Sequence, residues 1–115
     1  KVIAHTNDFI KYCKERNKKQ KWINTNVDIV YPHEKPSGSS SLLGVKAALF
    51  KLGYNKAVLI GCPMDVGNLE NRNKSYSIFR KGWVHFKDSL GGRVRSMSGW
   101  TRELLGEPTK GWLEE

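Results

Sequence analysis

Residues Lys35–Asp65 read KPSGSSSLLGVKAALFKLGYNKAVLIGCPMD and carry the strongest structural signal in the chain. The stretch opens on a small-residue turn, Pro36-Ser37-Gly38-Ser39-Ser40-Ser41, in which any of several serines can act as a helix N-cap. A helix is predicted from near Ser40 to Leu52, with Leu42, Val45, Leu49 and Leu52 on one stripe and Leu43, Ala47 and Phe50 on another. Apolar residues on two sides predict cover on both flanks. Gly53 stands where a left-handed C-cap belongs, and Lys51 and Lys56 suit the negative end of the helix dipole. The run Ala57-Val58-Leu59-Ile60 is short and uniformly apolar, the pattern of a strand buried on both faces. It ends in a bend, Gly61-Cys62-Pro63-Met64-Asp65, that carries one carboxylate.

Working outward gives an alternating order. Val2-Ile3-Ala4 reads as a strand, and a helix capped at Asn7 or Asp8 follows with Phe9, Ile10, Tyr12 and Cys13 on its apolar face. Lys18 to Asn26 reads as a loop, and Val27–Tyr31 as a second strand stopped by Pro32. Beyond Asp65 comes a polar loop to Lys74 and then the best amphipathic helix in the chain. Its Tyr76, Phe79, Trp83, Phe86 and Leu90 recur at helical steps, and Gly91-Gly92 ends it. Arg93–Met97 alternates polar and apolar as an edge strand does, and a short helix from Trp100 to Leu105 is closed by Gly106. The predicted fold class is α/β: one Rossmann-like domain over residues 1–115, three layers deep (α-β-α), with a mostly parallel sheet of about four strands. The first residues, already strand-like and without an initiating Met, also suit a fragment of a longer chain.

Composition narrows the class further. A chain of 115 residues suffices for a single core. Its two cysteines, Cys13 and Cys62, make neither a metal nor a disulfide pattern, so reduced thiols and a cytoplasmic setting are expected. No apolar run has the length of a membrane span, and no signal-peptide pattern is present. The net charge of +9 favours anionic partners such as nucleotides, nucleic acid or an acidic surface. Part of it is local, in Lys11, Lys14, Arg16, Lys18, Lys19 and Lys21, which also fit a solvated helix end and loop.

The serine turn is the leading candidate for chemistry. Helix N-terminal N–H groups, hydroxyls beside them and Gly38 for close approach suit an anion, and the same residues equally suit ordinary capping. Neither a Walker loop nor a GxGxxG fingerprint is present. The run Gly38-Ser39-Ser40-Ser41-Leu42, Ala47-Ala48-Leu49, Leu52-Gly53-Tyr54-Asn55-Lys56, Leu59-Ile60-Gly61 and Asp65 resembles a stretch of bacterial sialyltransferases. It is also similar to related Rossmann-like proteins of bacteria and phages. In that family such a turn binds the nucleotide of a sugar donor, with the strand end beside it. The resemblance therefore implies nucleotide contacts from Ser39, Ser40 and Ser41, with Asp65 close by. Ser41 stands where the family has a glycine, and Cys62-Pro63 precedes Met64-Asp65.

Around that turn the candidate binding residues are Ser37, Gly38, Ser39, Ser40, Ser41, Gly61 and Asp65. His5 at the first strand's exit and His33 before the turn join them as groups at the sheet's carboxyl edge, though a histidine there can also be purely structural. No catalytic triad, acidic pair or metal motif stands out. Arg93-Val94-Arg95 through Trp100-Thr101-Arg102 could grip phosphates and stack bases, or could simply be an edge strand with outward arginines. Two readings stay open: a domain binding a nucleotide or nucleotide-sugar at the serine turn, or a basic nucleic-acid-binding or adaptor module.

Overall fold

The computed structural model describes residues 3–4, 29–32, 34–66 and 74–115. The helix expected after Asn7, the Lys11–Lys21 cluster, the loop around Trp22 and most of the loop after Val66 lie outside the described residues. The chain divides into two units, Lys1–Glu34 and Lys35–Glu115. In the first, β1 (Ile3–Ala4) pairs in parallel with β2 (Ile29–Val30), Ile3 opposite Ile29 and Ala4 opposite Val30. β2 falls inside the strand expected over Val27–Tyr31, but Val30 is exposed, not buried.

The second unit begins with α1 (Ser39–Lys46), which runs on into one π-helical turn, Ala47–Lys51. There the Leu52 N–H donates to Ala47 O, five residues back, at 2.9 Å. Across Gly53, whose φ is +79°, the Tyr54 N–H donates to Ala48 O at 3.0 Å, so the glycine closes the helix in the left-handed region as expected. Leu42, Val45, Ala47 and Leu49 are buried. The wider π turn breaks the 3.6-residue step, and the second stripe is covered only in part: Ala47 is buried and Leu43 half-buried, but Phe50 is 45% exposed. Lys46 is buried because its ammonium lies 3.7 Å from the centre of the Phe86 ring, a cation held on an aromatic face.

A β-α-β unit follows: β3 (Ala57–Leu59), α2 (Lys74–Leu90) and β4 (Val94–Ser96). The strands are parallel, with Ala57 opposite Val94, Val58 opposite Arg95 and Leu59 opposite Ser96. α2 turns its stripe inward, and Trp83, Phe86 and Leu90 join Leu42, Val45, Leu49, Leu59, Met64 and Val94 in one core. Two short helices end the chain, α3 (Gly99–Leu105) and α4 (Lys110–Glu114). α4 was not apparent from the sequence; the Thr109 Oγ1 caps it by accepting from the Trp112 N–H at 3.2 Å.

The expected three-layer Rossmann-like sheet of about four strands is not what the chain forms. Its described strands make two separate two-stranded sheets, and the fold is α/β only in mixing helices with short parallel strands. The burial of β3 gives the reason. Leu59 faces the core beside Val94 and Ser96, while Val58 is 37% and Ile60 77% exposed. The helices that bury the sheet supply one core on one face, so the run Ala57–Ile60 is a one-sided strand. Four apolar residues in a row do not distinguish that case from a strand covered on both sides.

Candidate functional site

The serine turn is held chiefly by its own hydroxyls. The Ser39 N–H donates to Ser37 Oγ at 3.2 Å, and the Ser41 N–H donates to Ser39 Oγ at 3.3 Å. Ser39 Oγ and Ser41 Oγ lie 2.7 Å apart, and Ser41 Oγ donates to Gly38 O at 3.4 Å. Ser39 has a φ of +74°, an uncommon conformation for a residue with a side chain, and it is this bend that folds the hydroxyls back over the turn. Gly38 is the N-cap and contributes no side-chain acceptor, while Ser40 points its residue surface to solvent. The first turn contains no acidic residue, which leaves the positive end of the helix dipole uncompensated there.

Gly38 has a packing role. It is buried, and a Cβ placed on it would stand 2.6 Å from Leu42 Cβ. Gly82 of α2 comes against the same backbone from outside: a Cβ there would lie 2.5 Å from Gly38 N and nearer still to the Ser37 carbonyl. These two glycines bring α2 against the turn at backbone distance. The glycine expected to admit a ligand is therefore explained by helix packing alone.

Asp65 is also engaged. Its Oδ1 accepts from the Trp100 N–H at 2.8 Å, capping α3 from a distant part of the sequence, since Ser98 at the N-cap makes no side-chain bond. Gly99, with φ +65°, permits the contact: a Cβ there would be 2.6 Å from Asp65 Oδ1. Around it the ends of β3 and β4 are clasped together. The Thr101 N–H donates to Pro63 O at 3.1 Å, and Thr101 Oγ1 donates to Cys62 O at 2.7 Å and lies 2.7 Å from Ser96 Oγ. Ser96 and Thr101 are fully buried, so these hydroxyls serve the fold. Gly61 is exposed, with a φ of +72°, and makes the first bend. His5 and His33 lie outside the described residues.

Arg80 was missed by the sequence reading. Its Nε donates to Met64 O at 2.7 Å while its guanidinium stacks 4.7 Å from the Trp100 ring, locking the Pro63–Asp65 bend and α3 onto α2. An arginine on an amphipathic helix reads as solvated, and no local spacing points it to a ring twenty residues away in the chain. The serine turn and the Met64–Asp65 bend thus both rest on the same part of α2, through Gly82 and Arg80 respectively.

Of the three arginines proposed as phosphate grips, Arg102 is exposed and the other two make contacts within the fold. Arg93 Nε donates to Leu90 O at 3.3 Å, at the end of α2, and its guanidinium lies 5.3 Å from the Phe50 ring. Arg95 Nη1 donates to Leu105 O at 3.1 Å, at the end of α3, beneath Trp112 at 5.5 Å. Both complement the negative ends of helices. Lys56 does the same for α4, donating to the main-chain oxygens of Trp112 and Glu115, and the Trp112 Nε1 donates to Gly92 O at 2.9 Å.

Among the described residues no three His, Cys, Asp or Glu side chains gather as a metal would require, and no helix is long and apolar enough to cross a membrane. No protein-family model, curated protein or solved structure matches the chain.

Proposed function

We propose that the second unit binds a nucleotide or nucleotide-sugar through its phosphate at the N-terminus of α1. The observation that carries this reading is a helix start with three consecutive serines, no carboxylate in its first turn and no side-chain acceptor at its N-cap. An anion there would meet the positive end of a helix that runs, with its π turn, from Ser39 to Lys51, beside first-turn N–H groups of which those of Ser39 and Ser41 already donate to serine hydroxyls. Ser40 is the exposed hydroxyl positioned to donate to it. The likeness of this stretch to the nucleotide-binding turn of sialyltransferase-type proteins supports the same choice. The basic-module alternative is less well supported, because Arg93 and Arg95 each bond a helix-end carbonyl and lie beside an aromatic ring, which ties both side chains to the fold.

The test is isothermal titration with a panel of nucleotides and sugar nucleotides at two salt concentrations. Ser40→Asp is the deciding variant. A carboxylate in the first turn favours the helix dipole, by about 0.3–1 kcal/mol, and repels a phosphate. The variant should therefore fold as well as the parent and lose the ligand. Loss of binding with retained stability supports the site. Undiminished binding by Ser40→Asp, or no nucleotide bound by the parent chain, refutes it.

A further inference from the structure

We draw no further inference here: the strongest candidate, the exposed apolar face of the β3–β4 sheet formed by Val58, Ile60 and Met97, carries nothing because nothing in the structure shows what covers it.

Discussion

Gly82→Ala is the sharpest single test of how the serine turn is held, because two effects of opposite sign compete at that position. Gly82 lies inside the seventeen residues of α2. In an unobstructed helix interior, replacing Gly by Ala is stabilising by about 0.8–1 kcal/mol. Here the added methyl would meet the Ser37 carbonyl and stand 2.5 Å from Gly38 N. The obstacle is backbone, which cannot rotate away as a flexible side chain would, so α2 or the turn must move. Overpacking of this kind costs roughly 1–3 kcal/mol, occasionally more. Subtracting the helical gain leaves a net loss of about 0–2 kcal/mol, with the upper half expected because the obstacle is main chain. Urea denaturation of the parent and variant, followed by circular dichroism and by tryptophan fluorescence, measures that difference. The exposed Gly111→Ala, where a Cβ meets nothing within 4 Å, is the control for short-helix propensity. A Gly82→Ala chain as stable as the parent plus the full helical gain would show that α2 does not touch the turn. The nucleotide titration should follow the same variant, since displacing Ser37 and Gly38 moves the helix start on which the proposed site depends.

Three further outcomes are expected. Trp83→Ala should destabilise the chain by about 3–5 kcal/mol, as truncation of a fully buried aromatic does, whereas Trp83→Phe should cost far less because the indole Nε1 has no partner among the described residues; equal losses in thermal melts would show that the indole nitrogen is bonded after all. Asp65→Ala should cost about 0.5–2 kcal/mol by uncapping α3, and Asp65→Asn should restore much of it; a denaturation midpoint for the alanine variant identical to the parent would remove Asp65 from the clasp. Burial first, and then the charge of Glu34, push the Tyr31 phenol above its ordinary 10.0. Because the folded chain then holds that proton more tightly than the unfolded one, the stability it contributes is complete below the unfolded value and is lost as pH rises through the raised one. A difference titration of phenolate absorbance, parent against Tyr31→Phe, that placed this ionisation at the ordinary value would contradict it.

How far the fold was legible depended on whether the signal was local. Gly53, Gly91-Gly92 and Gly106 end their helices in the left-handed region as their placement after apolar periodic runs announced. The Tyr76–Leu90 stripe forms a helix with Trp83 at its buried centre, because a period of 3.6 residues over four turns leaves little ambiguity. What the chain's own order could not convey was the number of layers. Alternation of strand and helix predicts a sheet of about four strands, yet Ile60 and Phe50 face solvent, and their apolar side chains are the same in a covered or an uncovered position. The contacts of Arg80, Asp65 and Thr101 are long-range and were invisible for the same reason. Each is a polar residue whose partner is chosen by the packing of two bends, not by spacing along the chain.

The same distinction separates what remains of the proposed site from what does not. Three features first pointed to a ligand: Gly38, Asp65 and the hydroxyls at the helix start. Gly38 is explained by Leu42 and Gly82, and Asp65 by the Trp100 N–H. Neither needs a ligand to account for its residue type. Ser37, Ser39 and Ser41 satisfy one another, as capping serines do. Ser40 is the one serine of the turn that the hydroxyl ladder does not explain, and it sits where the dipole of α1 is uncompensated. A serine needed only for helix initiation would tolerate Asp at no cost, and a serine that meets a phosphate would not. The sign of the Ser40→Asp effect on stability and the size of its effect on binding are thus independent readouts. The fold requires the first to be zero or favourable, and only a bound anion requires the second to be large.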